Sequence, residues 1–245
     1  AVISHGHSDH ARGGHGKVLA HPHTLAIMAA RYGDSFAKQT QAVEYGEAIE
    51  INGVTVWLSP AGHILGSSQI VVEHKGLRMV FTGDYKRRWD PTCPGFEPVE
   101  NTHVFISEAT FGLPVFRHPP TDQEIDRLMR SVADNPDRTH CIGAYSLGKA
   151  QRVIKHLRLA GHDRPIYIHG SLEKLCEVYE AAGVTLGELR PATLEDRSKA
   201  AREAFRGEIV IAPPGAFEGK WAQRFPDPII GFASGWMSVK QRAKQ

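Results

Sequence analysis

Short runs of alternating apolar and polar residues open this chain, and turn residues separate them. Residues 48–51 and 54–58 (Val54-Thr55-Val56-Trp57-Leu58) flank Asn52-Gly53, the pair that a two-residue hairpin turn favours because both positions need positive φ. Residues 69–73 and 77–81 flank Lys75-Gly76 and predict a second strand pair, and 103–107 predict one strand more. Between the N-terminal turn and these strands, residues 22–31 read as a short helix that ends near Gly33. The rhythm changes after Leu113. Thr121-Asp122-Gln123-Glu124 has the form of a capping box that opens a helix to residue 134. Strands are then expected at 141–144, 165–169 and 208–212, alternating with helices at 149–159, 173–182 and 195–205. Strands that alternate with helices predict a parallel sheet with right-handed crossovers.

Composition narrows the classes. The chain has 245 residues, 41% of them hydrophobic and 23% charged, which suits one large or two ordinary globular domains. No apolar run approaches the roughly 18 residues that a membrane span needs. Cys93, Cys141 and Cys176 are odd in number and scattered, so reduced thiols in a cytoplasm are the simplest account. A net charge of +2 is too small to argue for a nucleic-acid partner by itself.

The chemistry lies in the first third. Ser4-His5-Gly6-His7-Ser8-Asp9-His10 is followed by Gly62-His63-Ile64-Leu65-Gly66 and by Thr82-Gly83-Asp84-Tyr85. His5 and His7 stand two apart and point the same way on an extended segment, while Asp9 and His10 can reach a second point beyond a turn. Imidazole and carboxylate suit zinc, and such a set can hold two divalent ions about 3.5–4 Å apart. Asp84 is the candidate bridge, because a carboxylate offers one oxygen to each ion. Lys86, Arg87 and Arg88 follow it directly, as phosphate contacts or as a solvated loop. Ser146, Lys149 and Arg152 lie around Gly148 at an expected helix start, where backbone amides and the helix dipole favour phosphate; an ordinary amphipathic helix is the alternative.

These motifs resemble the metallo-β-lactamase superfamily. Ser107-Glu108-Ala109-Thr110-Phe111-Gly112 and Tyr145-Ser146-Leu147-Gly148-Lys149-Ala150-Gln151-Arg152 are similar to its β-CASP branch, which processes nucleic acids. Asp90-Pro91-Thr92-Cys93, Phe111-Gly112-Leu113-Pro114 and Ala233-Ser234-Gly235-Trp236-Met237 resemble the bacterial DNA ligase-associated exonucleases within that branch. The resemblance implies an α/β fold: an αββα sandwich, incomplete here, with an inserted parallel α/β domain. It places the first metal on His5, His7 and His63 and the second on Asp9 and His10, with Asp84 between them. It also implies that Asp9 orients or deprotonates water, and that Glu108 orients a histidine outside this chain.

The expected domains are 1–112, an insertion at 113–230, and a return to the first domain at 231–245. Family members have strands ahead of the His-x-His cluster, and they continue into a Ser-Asp-His-like and then a His-Gly-like segment. This chain reads as a fragment between those ends. The implied activity is a zinc- or manganese-dependent DNA exonuclease working in the cytoplasm on nucleic acid, beside an ATP-dependent DNA ligase and a helicase. An RNase of the mRNA 3′-end-processing type and a catalytically silent nucleic-acid-binding protein are the alternatives. A small-molecule thioester or lactam hydrolase is disfavoured, since it has no need of an insertion of about a hundred residues.

Overall fold

The computed structural model describes residues 1–193 and 198–238. The chain divides into two units, Ala1–Thr110 with Ala181–Gly183, and Phe111–Glu180 with Val184–Gln245.

The first unit is built in layers. Strand β1 (His15–Ala20) pairs in parallel with β2 (Ala37–Ala42), and helix α1 (Pro22–Tyr32) connects them. The five-stranded second sheet has the order β3 (Ile49–Ile51), β4 (Val54–Pro60), β5 (Ser68–His74), β6 (Leu77–Phe81), β7 (Val104–Ile106). Side-chain alternation along β1 sorts the layers. Val18 and Ala20 pack with Met28 of α1 and Phe36, while Leu19 points the other way, onto Val43 and Leu58 of β4. The order helix, small sheet, large sheet is an α-β-β stack. Asn52-Gly53 and Lys75-Gly76 both adopt positive φ, at 52° and 79° and at 49° and 80°, the conformation that the sequence demands of a two-residue hairpin.

The second unit is a parallel sheet ordered β10 (Leu189–Pro191), β9 (Ile166–Ile168), β11 (Ile209–Ala212), β8 (His140–Gly143), β12 (Ile229–Phe232). Its helices are α2 (Thr121–Asp134), α3 (Lys149–Leu159), α4 (Gly170–Ala181) and α5 (Lys199–Glu203). All four residues of central β11 are buried, because both faces of an inner parallel strand are covered. Val210 and Ala212 pack with Cys141, Phe205, Phe217 and Phe225 on one side. Together the units make a mixed α/β chain.

Several expectations change in detail. The capping box at Thr121 does not form: the cap position is Pro120, and the Thr121 hydroxyl accepts from Arg152 Nη2 at 2.8 Å. Glu124, the other half of that box, pairs with Arg127 instead. Strands β1 and β2 were not expected, since Ala37-Lys38-Gln39-Thr40-Gln41-Ala42 is mostly polar and exposed and is held by backbone pairing to β1. The helix expected at 195–205 is seen as α5, and Glu195, Asp196 and Arg197 lie outside the described residues. The same holds for 239–245 of the expected return segment. Among the described residues, no helix is long and apolar enough to cross a membrane.

Candidate metal centre

Three loops of the first unit carry the six candidate ligands, and the backbone stitches these loops together. Residues Ala1–Ser4 run beside β1: Leu19 donates to the Ala1 carbonyl and Ile3 donates to the Leu19 carbonyl, both at 2.9 Å. The chain then turns back, with the N–H groups of His10 and Ala11 both given to the His7 carbonyl, and so His10 returns to lie against His5 with ring centroids 4.2 Å apart. Arg31 of α1 pins this turn through the Gly6 carbonyl at 2.9 Å. The Ser68 N–H donates to the Ser4 carbonyl at 2.7 Å, tying the first loop to the loop that carries His63. Gly83 has φ +55°, and a Cβ there would come within 2.7 Å of Ser4 Cβ, so the Asp84 loop passes the first loop at close range.

The donors converge. Nε2 of His63 lies 3.1 Å from Nδ1 of His7. Asp84 Oδ2 lies 3.6 Å from His63 Nε2 and 3.7 Å from His5 Nε2. These four residues each offer a donor atom within 4.8 Å of all the others. The second carboxylate oxygen faces elsewhere: Asp84 Oδ1 is 3.4 Å from His10 Nε2, which is itself 3.6 Å from Asp9 Oδ2. Zinc–ligand bonds of about 2.1 Å in tetrahedral array place neighbouring donors about 3.4 Å apart. The spacings at both oxygens of Asp84 match that figure.

Protonation and burial fit a cation as well. His5 is fully buried, and among the described residues its Nε2 has no hydrogen-bond partner, while its Nδ1 contacts the Ser4 hydroxyl at 3.1 Å. A buried imidazole nitrogen without a partner is costly unless something satisfies it. Burial first, and then His63, His7 and His10, push the His5 imidazole far below the ordinary range, so that it stands neutral with a lone pair to give. Burial, joined by the charges of Glu108 and Asp9 against the opposing influence of His10 and His7, holds the Asp84 carboxyl above its ordinary range. A cation between these groups would relieve both penalties. His5, His7, His63 and Asp84 therefore fit a divalent ion of the kind that the motif implies.

No family model matches the sequence. Over 247 residues, 96% of this chain, it is 33% identical to the "Probable DNA ligase" of Opitutus terrae, covering 22% of that protein. It is 31% identical to the "Endoribonuclease YSH1" of Saccharomyces cerevisiae over 156 residues, 58% of this chain and 20% of that protein. It is 32% identical to "Cleavage and polyadenylation specificity factor subunit 3" of Dictyostelium discoideum over 152 residues, 58% of this chain and 19% of that one. The chain belongs to the β-CASP branch of the metallo-β-lactamase superfamily. It spans about a fifth of the length of these curated relatives. A solved structure from Enterococcus faecalis, described as a protein of unknown function, shares the fold with TM-score 0.60 at 14% identity, covering 96% of this chain and 69% of that one.

The other candidate residues of this β-CASP chain sit as follows. Asp9 is mostly exposed, with its side chain 74% accessible. Glu108 is half-buried just past β7; its Oε2 accepts the Thr110 N–H at 2.6 Å, and its charge is felt at Asp84. Lys86 does not lie out in solvent. Its ammonium donates to the His63 carbonyl at 3.2 Å and pairs with the buried carboxylate of Asp90. Ser146 and Ser171 share a hydroxyl contact at 3.0 Å. At the start of α3, the amides of Lys149 and Ala150 are given to the Leu147 and Tyr145 carbonyls, and that of Gly148 to Gln151 Oε1. Those three amides are committed within the protein. The Lys149 side chain is half-buried, and Arg152 reaches Thr121.

Sequence reasoning missed the groups that hold the His63 loop. Ser67 accepts the N–H groups of His63 and Ile64 at 3.0 and 3.1 Å, Tyr45 donates to the Ser67 carbonyl at 2.9 Å, and Thr24 donates to the Gly66 carbonyl at 2.8 Å. Ser67 was findable, as a hydroxyl four residues past a ligand in a glycine-bounded turn. Tyr45 and Thr24 carry no local signal.

Proposed function

We propose that this chain carries the metal centre of a metal-dependent phosphodiester hydrolase acting on nucleic acid. The observation that supports this reading most is the orientation of Asp84, with Oδ2 toward His5 and His63 and Oδ1 toward His10. In this reading, His5, His7 and His63 would hold one divalent ion and Asp9 and His10 a second, with Asp84 available to both. Two bound ions of the zinc type would supply acidity to water near neutral pH and neutralise charge on the phosphate. Asp9 presents an exposed carboxylate beside His10, where it can orient a water molecule and take its proton. Glu108, just past β7, would orient a further group near Asp84. Lys149, with Ser146 and Arg152, is the proposed grip on the phosphate backbone in the second unit.

The leading substrate is DNA, processed from an end beside a ligase. Its support is the likeness, along 96% of this chain, to a protein named as a probable DNA ligase. RNA cleavage is the second reading, and the match to a protein named as an endoribonuclease favours it. Incubating the complete protein with end-labelled DNA and RNA of matched sequence, with zinc or manganese, decides between them. A ladder from the DNA end supports the exonuclease. Discrete RNA products support the second reading, and intact substrates in both arms with metal bound would refute nuclease activity.

A further inference from the structure

Lys86 stands two residues past Asp84, yet its contacts run to the His63 loop. Its backbone N–H donates to the Ala61 carbonyl at 3.0 Å, and its ammonium donates to the carbonyl of His63 itself at 3.2 Å. The same ammonium pairs with Oδ2 of Asp90, a residue only 4% exposed. Oδ1 of Asp90 is taken by the N–H and hydroxyl of Thr92, at 2.9 and 2.6 Å. The carboxylate is thus fixed from behind and holds the ammonium in place. Between Ala61 and His63, Gly62 adopts φ +69°, and a Cβ there would meet the Lys86 carbonyl and the Phe96 amide, so the backbones pass at close range.

We propose that the Lys86–Asp90 pair is a clamp that sets His63 against Asp84, and that Lys86 is a positioning residue for the metal centre and not a phosphate contact. The inference rests on the metal-centre reading above. His63 is presented by a turn between β4 and β5 that strand pairing does not hold. Its Nε2 must stay near 3.6 Å from Asp84 Oδ2 for both to reach one ion. An ammonium that bonds the peptide of one ligand residue, from a backbone position two residues past the other, couples the two loops directly. A charge pair with a buried carboxylate suits this use: its geometry is fixed, and loss of Lys86 leaves the Asp90 carboxylate buried without that cation. A lysine serving phosphate would need its ammonium in solvent, whereas this side chain is 20% exposed and engaged twice.

The test compares Lys86→Met, Asp90→Asn, the double variant and Lys86→Arg with the unaltered protein. The double variant removes both charges, so a folded protein remains if a single change leaves an intolerable buried charge. Zinc affinity is read by competition with a chromophoric chelator, and ligand geometry by the visible spectrum of the cobalt-loaded protein, far below the melting temperature. The clamp predicts zinc affinity at least about 10-fold weaker for Lys86→Met, Asp90→Asn and the double variant, the usual scale for losing a group that orients a ligand. It also predicts altered cobalt spectra, and for Lys86→Arg an affinity within about threefold of the unaltered protein, since a cation and donors remain. Unchanged zinc affinity and spectra overturn the clamp. So does a salt dependence of nucleic-acid binding that flattens in Lys86→Met while metal binding stays intact, because that marks a phosphate contact. Failure of the unaltered protein to bind zinc would instead refute the metal-centre reading, and the clamp with it.

Discussion

The Ser67 hydroxyl accepts the backbone N–H of His63 at 3.0 Å, and with the Ile64 N–H at 3.1 Å it closes the turn that presents this ligand. Ser67 is 1% exposed, so neither amide finds water readily once the hydroxyl is gone. Ser67→Ala is expected to lower unfolding stability by about 1–3 kcal/mol, the cost of leaving buried donors unmet. Urea unfolding of the metal-free protein measures it, and a loss below about 0.5 kcal/mol would mean that the turn holds itself.

Two glycines with similar backbones should respond unequally. Gly53 has φ +79° with open space around it, so Gly53→Ala carries the left-handed penalty of about 1–2 kcal/mol and little else. Gly62 has φ +69°, and a Cβ there would fall on the Lys86 carbonyl and within 2.8 Å of the Phe96 amide. Because backbone cannot swing aside as a side chain can, Gly62→Ala is expected to abolish folding or to free the His63 loop with loss of metal. Circular dichroism and thermal melts of the two variants check the contrast.

The sequence was most legible where one short segment dictates its own geometry. Asn52-Gly53 and Lys75-Gly76 force their hairpins, and residues 149–159 show a helical apolar stripe that reappears as α3 at those limits. The ligand motifs were readable as residue types, since their spacing carries the chemistry before any fold is known. Long-range pairing was not readable. Strand β2 is polar and forms because β1 offers it a backbone edge, and Thr121 loses its expected capping role to Arg152, 31 residues away. The positions of Tyr45 and Thr24 under the His63 loop depend on packing of layers, which no local window contains.

Acid should unmake the Lys86–Asp90 pair. Burial alone would raise the Asp90 carboxyl, but the Lys86 charge and the hydrogen bonds from Lys86 and Thr92 outweigh it and hold the group below its ordinary range. A carboxyl depressed in the folded state contributes stability above its unfolded value, about 3.9, and loses it as pH falls through the folded value. The unaltered protein should therefore lose stability below about pH 4 more steeply than Asp90→Asn, which has nothing to protonate there. Parallel stability–pH curves for the two, measured metal-free, would show that the pair contributes nothing.

Lys149 offers a clean reading of the proposed phosphate grip. Lys149→Ala should reduce the salt slope of nucleic-acid binding by about one, as expected when a single phosphate contact is lost. Arg152→Ala should also lower the stability of the folded protein, since the guanidinium holds Thr121 at 2.8 Å. Fluorescence anisotropy across a salt series distinguishes them. An unchanged slope for Lys149→Ala would leave the start of α3 a structural feature.

The most direct test of the account is to count and place the metal. The protein would be stripped with chelator, reloaded with zinc, analysed for zinc content and crystallised for anomalous diffraction. The account predicts two ions per chain, one among His5, His7, His63 and Asp84 and the other among Asp9, His10 and Asp84, with Asp84→Ala losing at least one of them. Active protein free of divalent metal, or zinc bound away from Asp84, would contradict it.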